Sequence, residues 1–402
     1  MLSVKEAIQH MLKSVHPVTE SETLSIDAGV DRILAQDVLS TVDIPAYDNS
    51  AMDGFALHLT EPNQTGFTVV GQALAGHPFQ GQLVPGQAIR IMTGAQVPQG
   101  ANAVVPIENT EQDKEGEQVR LFNPAQLHAH IRKRGEELVC GATVFSTGHQ
   151  LTPVDIGLLA SLGVAKIDVF KRLQVALFST GDELVLPGQT RRPDQIYDSN
   201  RFVLHAMLER AGFSVLNLGL IPDNKQEIAD AFMQASTQAD AIICSGGVSV
   251  GDADYTKQVI DAHGDVGFWK VAMKPGKPFA FGKVNGSWFF GLPGNPVSAT
   301  ITLQQLALPA LYQLAGRRSV EPLEIVVTAG ETLKKRPGRA DFQRGILRTE
   351  NGITQVFSAG NQGSGMLSSV AKANCLILLD AEQGTLERGE LVRVQVLEKP
   401  FR

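Results

Sequence analysis

Between residues 173 and 244 the sequence alternates two patterns that together fit one sheet architecture. Apolar runs at 173–178, 213–220 and 239–244 read as buried strands. Helical periodicities at 200–211 and 226–238 lie between them, the first stopped by Gly212. Strand, helix, strand, helix, strand predicts a parallel sheet with crossover helices. Ligands of such sheets sit beyond the carboxyl ends of the strands. This sequence concentrates its polar chemistry there. Ser179-Thr-Gly-Asp182-Glu183 follows the first strand, Ile221-Pro-Asp223-Asn the second, and Ser245-Gly246-Gly247 with Asp252 and Asp254 the third. A single acid at such a position is commonly a helix N-cap. Acids delivered by three successive strands to one edge point instead to a site.

The third strand end is the richest. Glycines directly after a buried strand leave backbone N–H groups free and let a phosphate approach closely. Carboxylates beside such a loop suggest a hard cation such as Mg²⁺. Lys274-Pro-Gly-Lys277-Pro adds positive charge on a backbone stiffened by prolines and turned by a glycine. Gly291-Leu-Pro293-Gly-Asn-Pro296-Val-Ser298 follows within the same stretch. Together these segments suit an anionic ligand that carries phosphates.

The remainder reads as scaffold with a few exceptions. Ser3 and Glu6 form a capping box for an amphipathic helix over 4–15, and a second helix is expected at 29–35. The irregular run Asp48-Asn-Ser-Ala-Met-Asp53-Gly54 suits either a functional loop or an Asx-turn network. From 66 to 122, short apolar runs between Gly and Pro predict a small β domain, with Thr93 at a strand end. Ile131-Arg-Lys-Arg-Gly-Glu-Glu137 reads as a solvated charged face. A helix at 154–162 and a strand at 165–170 precede the α/β segment, and a helix spans 296–314. Residues 323–396 then turn all-β, with a hairpin at Asn351-Gly352 and strands at 374–379 and 391–396. Basic and hydroxyl groups, including Arg344 and Ser364, lie in loops of this segment.

The 402 residues allow two to four domains, and a net charge of −7 argues against a general nucleic-acid binder. Cys140, Cys244 and Cys375 make no metal or disulfide pattern, which suits a reducing cytosol. The beginning of the chain lacks the basic and apolar regions of a signal peptide. The apolar stretch 299–314 is too short and too polar to span a membrane.

Seven motifs in one order carry a resemblance. They are Asp48-Asn-Ser-Ala-Met-Asp-Gly54, Ile91-Met-Thr-Gly-Ala95, Ser179-Thr-Gly-Asp-Glu183, Tyr197-Asp-Ser-Asn200, Ser245-Gly-Gly-Val-Ser-Val-Gly251, Lys274-Pro-Gly-Lys-Pro278 and Gly291-Leu-Pro-Gly-Asn-Pro296. Over nearly its whole length the chain resembles the molybdopterin molybdenumtransferase (MoeA) family, which includes the gephyrin E domain. The resemblance implies an α/β multidomain fold. An elongated domain I is split over 1–45 and 140–172 around β domain II at 46–139. A doubly wound molybdopterin-binding domain III covers 173–318, and a β-barrel domain IV covers 319–402. It implies a cytoplasmic homodimer whose sites join the third domain of one subunit to the fourth of its partner. The implied reaction takes adenylylated molybdopterin and molybdate to molybdenum cofactor and AMP with Mg²⁺. Handover contacts with the adenylyltransferase and with molybdoenzymes would follow, with no nucleic acid and no membrane.

Motif by motif, the resemblance assigns Asp53 and Thr93 to the functional residues of the second domain. It assigns Glu183, Asp223 and Asp254 to the acids around Mg²⁺ and the pyrophosphate. Ser245, Gly246 and Gly247 would bind substrate. Lys274, Lys277, Ser298, Arg344 and Ser364 match the molybdate set, with Pro293 and Pro296 shaping the adjoining loop. Phe55 stands where the family often has Tyr, so no hydroxyl role carries over there. Glu137 stands where Asp is common. Two other readings stay open: a molybdopterin adenylyltransferase, which the third domain alone also resembles, and a gephyrin-like scaffold.

Overall fold

The computed structural model describes residues 1–18, 20–246, 255–318 and 321–397. The expectations for Gly247, Asp252 and Asp254 lie outside the described residues. Six strands form the central sheet, in the order Ser214–Ile221, Gln174–Thr180, Ala241–Ser245, Ser287–Leu292, Pro278–Val284, Gly264–Lys270. The first four are parallel; the alternation predicts three of them, and Ser287–Leu292 is the addition. The last two run antiparallel and extend the sheet. Strand Pro278–Val284 turns into Ser287–Leu292 through Asn285-Gly286, whose φ values of 47° and 95° suit a mirror-image hairpin turn.

Successive residues of a strand face opposite sides of the sheet. Val175 and Leu177 therefore meet Leu204, Met207 and Leu208 of helix Asn200–Arg210 on one face. Ala176 and Phe178 meet Ile228 and Phe232 of helix Lys225–Gln238 on the other. Burial on both faces is why the strands read as continuous apolar runs rather than alternating ones.

The helix expected at 296–314 is interrupted. It runs as α-helix Pro296–Thr302, a π-helical segment Leu303–Ala307, and α-helix Leu308–Leu314. Pro309 has no N–H to continue the α ladder, which accounts for the irregular turn before it. Helix Val4–Ser14 carries its capping box and packs Ala7, Met11 and Val15 into the core cluster of the α/β domain. The Gln313 side-chain amide closes that helix: its Nε2 donates to the carbonyls of Leu12 at 2.8 Å and Val15 at 2.7 Å. The helix expected at 29–35 does not form. Residues Ile26–Ala28 make one 3-10 turn, Asp31 adopts a positive φ of 62°, and Ile33 and Leu34 bridge to Gln150 and Val169. Short apolar spacing cannot separate a helix from a half-buried extended segment.

Two β units flank this core. The first is a six-stranded sheet in the order Ala103–Pro106, Gly54–Leu57, Gln87–Ile91, Gly66–Ala73, Gln118–Leu121, Thr110–Gln112. Phe55 is fully buried within it, in an apolar cluster that offers a hydroxyl nothing. The second is a closed barrel of five strands: Ala340–Glu350, Ile353–Ser358, Glu324–Ala329, Leu391–Val396 and Cys375–Leu379, which returns to the first. The Asn351-Gly352 turn sits where the sequence predicts it. Helix Leu367–Lys372 is an addition to the all-β reading. No helix among the described residues is long and apolar enough to cross a membrane.

Met11 ties the N-terminal helix to a domain more than 150 residues away in sequence, and it is fully buried. Met11→Ala is expected to lower unfolding stability by about 2–5 kcal/mol. Urea unfolding measures this, and a loss below about 0.5 kcal/mol would contradict the packing described.

Candidate active site

A cleft of about 740 Å³ opens at the carboxyl ends of the parallel strands. That size suits a ligand of several rings and phosphates. Glu183, Asp223, Ser245, Gly246, Lys277, Pro293, Pro296 and Ser298 all line it. Three separate strand ends and two later loops thus meet in one cavity, as the strand-end argument requires. Gly246 has a φ of 98°, and a Cβ there would stand 2.7 Å from the Thr180 carbonyl oxygen, so only glycine fits between the two strands. Its amide is not free, however. Gly246 N–H donates to the Leu292 carbonyl at 3.2 Å, which corrects the expectation of an open donor at this residue.

The acids divide by what they touch. Asp182 accepts from the Asp223 N–H at 3.1 Å, a structural bond that shapes the second loop. Glu183 and Asp223 face the cleft. Helix capping does not explain Asp223, because Asn224 takes that role by accepting from the N–H groups of Gln226 and Glu227. Glu183 and Asp223 supply hard oxygen donors, a chemistry that fits Mg²⁺ beside phosphates. Among the described residues no group of three His, Cys, Asp or Glu side chains is placed to hold a metal ion, and Asp254 lies outside them.

The cations divide too. Lys277 lines the cleft, and no carboxylate of the described residues forms an ion pair with it. Lys274 does not line the cleft. Its Nζ pairs with the buried carboxylate of Asp341 at 3.2 Å, where Met273–Lys274 runs parallel to Ala340–Asp341. Between the two lysines Gly276 adopts a φ of 107°, and a Cβ there would collide with Thr302 Oγ1 in the helix behind. The Lys-Pro-Gly-Lys-Pro loop is therefore pinned against the helix on one side and the barrel on the other.

The barrel docks on the α/β domain of its own chain. The Val297 N–H donates to the Ser364 carbonyl at 3.0 Å, next to cleft residue Ser298. Phe342, Ala359 and Val370 of the barrel share one core cluster with Val297 and Leu292. The fourth domain thus shares a core with the third domain of its own chain. Arg344 is fully buried under the same loop. Its Nε donates to Ser369 Oγ and its Nη2 to the carbonyls of Asn361 and Gly363, while Nη1 has no partner among the described residues. Burial weighs against its charge, and nearby Asp341 offsets this only in part. Arg344 and Ser364 do not line the cleft itself; they stand behind its rim.

Asp53 and Thr93 come together elsewhere, on the flanking β sheet. Gly54 pairs with Ile91, which places the two residues at adjoining strand ends. Thr93 donates to Asp53 Oδ1 twice, from N–H at 2.7 Å and from Oγ1 at 2.8 Å. Those bonds hold the Asp53 carboxyl below its ordinary value, and Arg90 adds to the effect. Both residues are exposed and neither lines the cleft. The charged run near 131–137 proves ordinary: Lys133 pairs with Asp48 and Arg134 with Asp43.

Sequence reading left several cleft residues without a role. Phe268, Trp269, Phe279, Tyr197 and Tyr255 are among them. Trp269 packs against Phe279 at 5.9 Å between ring centroids, while Phe268, its neighbour in the strand, faces the other side of the sheet. Asp341 was visible as the one acid in the basic run 339–344, which forms the start of strand Ala340–Glu350 rather than the expected loop.

Comparison with known proteins accounts for most of the chain. Residues 2–163 match the model of the "MoeA N-terminal region (domain I and II)", residues 176–313 that of the "Probable molybdopterin binding domain", and residues 326–397 that of the "MoeA C-terminal region (domain IV)". A "Molybdopterin molybdenumtransferase" of Haemophilus influenzae is 44% identical over 398 residues, 98% of each chain. "Molybdopterin molybdenumtransferase 2" of Mycobacterium tuberculosis is 35% identical over 413 residues, 98% of this chain and 99% of that one. Among solved structures, the molybdopterin biosynthesis moeA protein from Pyrococcus horikoshii OT3 superposes with a TM-score of 0.85 at 25% identity. That match covers 99% of this chain and 100% of the other.

The Asp53–Thr93 pair gives a pH prediction. Thr93→Ala removes the hydroxyl donor and keeps the N–H, so the Asp53 titration should move up toward the ordinary carboxyl range while staying below it. A depressed carboxyl contributes stability that is present above its unfolded pKa and lost as pH falls through its folded pKa. Wild type and variant should therefore differ at neutral pH and converge in acid. Carboxyl-carbon NMR titration reads the shift, and an unmoved midpoint would contradict the two-donor arrangement.

Proposed function

The chain belongs to the MoeA family of molybdopterin molybdenumtransferases, enzymes of molybdenum cofactor biosynthesis, and from that premise we propose how its own residues divide the work. The reaction takes adenylylated molybdopterin and molybdate, breaks the phosphoanhydride, releases AMP and leaves molybdenum at the dithiolene. One observation carries the assignment of this chemistry to the strand-end cleft. Two carboxylates, a lysine with no ion pair among the described residues and two buried hydroxyls converge there, in a lining that also holds aromatic side chains.

Aromatic side chains in the lining, Tyr197, Tyr255 and Trp269 among them, suit flat heterocycles such as a pterin or an adenine. Glu183 and Asp223 would hold Mg²⁺, which when bound would neutralise charge on the phosphoanhydride. Ser245 and Ser298 offer hydroxyl donors to anionic oxygens. Lys277 supplies the positive charge that a tetrahedral dianion needs, and the pinning of its loop supports a fixed position. Lys274 acts by anchoring that loop through Asp341. Pro293 and Pro296 stiffen the wall beside Ser298, and the buried Arg344 adds a positive field behind Ser364.

The same reading includes a homodimer. Asp53 carries an ionised carboxylate on an exposed edge away from the strand-end cleft of its own chain. A second copy could receive it. Cys140, Cys244 and Cys375 form no disulfide, which suits a reducing compartment such as the cytoplasm. Handover contacts with the adenylyltransferase and with molybdoenzymes extend the reading. An adenylyltransferase is less favoured, because matches to the N-terminal and C-terminal MoeA regions frame the α/β domain.

Purified protein given adenylylated molybdopterin should release AMP in proportion to molybdate, and given ATP and molybdopterin it should form no adenylylated product. Lys277→Ala should raise the molybdate concentration for half-maximal release by roughly tenfold or more, the loss expected for one charged hydrogen bond. The Michaelis constant for the pterin substrate should change less than about twofold. Unchanged molybdate dependence would remove Lys277 from the oxyanion site.

A further inference from the structure

The motif Tyr197-Asp198-Ser199-Asn200 borders the cleft, and nothing in the reading above gives it a task. Its geometry does. Asn200 Nδ2 lies 2.7 Å from Ser245 Oγ and 2.7 Å from the Gly294 carbonyl oxygen. A carbonyl oxygen can only accept, so the amide nitrogen must face Gly294, and the flipped rotamer is excluded. The same nitrogen then donates its second hydrogen to Ser245. Ser245 Oγ is therefore an acceptor toward Asn200, and its own hydrogen is directed elsewhere. Among the described residues Ser245 donates no side-chain hydrogen bond, and its side chain lines the cleft.

Asn200 is itself held firmly. The residue is 9% exposed, and the turn before it is fixed by a buried ion pair, Arg201 Nε to Asp198 Oδ2 at 2.9 Å. Arg201 N–H also donates to Asp198 Oδ1, and its Nη1 reaches Asn217 Oδ1. One amide group thus clamps the end of strand Ala241–Ser245 to the Gly291–Pro296 loop.

We propose that Asn200 is a positioning residue that orients the Ser245 hydroxyl as a hydrogen-bond donor to a phosphate oxygen of the substrate. This rests on the reading of the cleft as the phosphate site. Asn200 touches no reacting atom; it fixes which way Ser245 donates and how far the two loops stand apart. Its amide gives what a carboxylate of the same shape cannot. Asn200→Asp presents an oxygen that would take the Ser245 hydrogen for itself and repel the Gly294 carbonyl.

The test is a double-mutant cycle on kcat/KM for adenylylated molybdopterin, with AMP release as the assay. Ser245→Ala, Asn200→Asp and Asn200→Ala are made singly, and each Asn200 variant is combined with Ser245→Ala. Ser245→Ala should lower kcat/KM by roughly ten- to a hundredfold, the range for one hydrogen bond to a charged group. Asn200→Asp should cost at least as much. In the Ser245→Ala background Asn200→Ala should cost less than about threefold more, because the hydroxyl it orients is gone, while Asn200→Asp keeps only the part of its cost that comes from repelling the Gly294 carbonyl. Thermal unfolding of every variant checks that the fold persists, and Asn200→Ala carries the test if the aspartate variant does not fold. If Ser245→Ala has no effect, the phosphate-site reading at Ser245 fails, and this proposal with it. If Ser245→Ala is damaging but the Asn200 variants are silent, the cleft reading stands and the positioning role is overturned. Additive losses overturn it too, since they mean Asn200 acts independently of the hydroxyl.

Discussion

The site depends on one short contact: the parallel bridge that sets Met273–Lys274 beside Ala340–Asp341. Across it Lys274 meets Asp341, whose carboxylate is nearly inaccessible to water. A carboxylate buried this deeply is costly unless a cation and hydrogen bonds satisfy it. Lys274 and the Gln343 amide both reach Asp341 Oδ2. The bond therefore does more than join two domains. It fixes one end of the Lys-Pro-Gly-Lys-Pro loop, while Thr302 behind Gly276 fixes its middle. Lys277 follows from these two restraints. The barrel's position follows as well, and with it the contact of Ser364 with the start of the helix at Pro296.

Charge is sorted by this arrangement. Lys274 and Arg201 are paired with buried carboxylates, and Lys335 is wrapped by backbone carbonyls including Ala381 and Gln383. Those cations stabilise structure. Lys277 has no such carboxylate among the described residues, and the buried Arg344 donates its side-chain hydrogen bonds to neutral acceptors, with the Asp341 charge nearby. Positive charge without a paired carboxylate beside a cleft is what an anionic substrate requires. Among the acids, Asp182 accepts from a backbone N–H and Asp198 pairs with Arg201, and Glu183 and Asp223 line the cavity.

Much of this was legible in the sequence because it is local. The buried runs and helical periods of the α/β segment marked three of the four parallel strands and two crossover helices within two residues of their observed ends, and missed the fourth strand at Ser287–Leu292. Glu183, Asp223 and Ser245 fell at strand ends, where position alone implies convergence. What escaped was tertiary. The 29–35 stretch has helical spacing but pairs with distant segments through Ile33 and Leu34. Helix Val4–Ser14 looked like part of an outlying domain, yet its apolar face lies in the central core. Asn285-Gly286 was a readable turn that would have revealed the antiparallel extension. The work of Asn200 could not be read, because an amide's partners are chosen by the fold and not by its neighbours in sequence. The free amide expected at Gly246 failed for the same reason: Leu292, far along the chain, takes it.

The account assigns the cleft, the lysine loop and the barrel rim to one chain, and the exposed Asp53–Thr93 pair to a second copy. Mixing two inactive variants measures this directly. Asp53→Ala and Lys277→Ala proteins are unfolded together in equal amounts and refolded. Random pairing makes about half of the dimers mixed. If Asp53 serves the partner's cleft, a mixed dimer has one site with both lesions and one with neither, and roughly a quarter of wild-type AMP release returns. If Asp53 serves its own chain's cleft, every site keeps one lesion. Mixed dimers confirmed by mass that release no AMP would contradict the account.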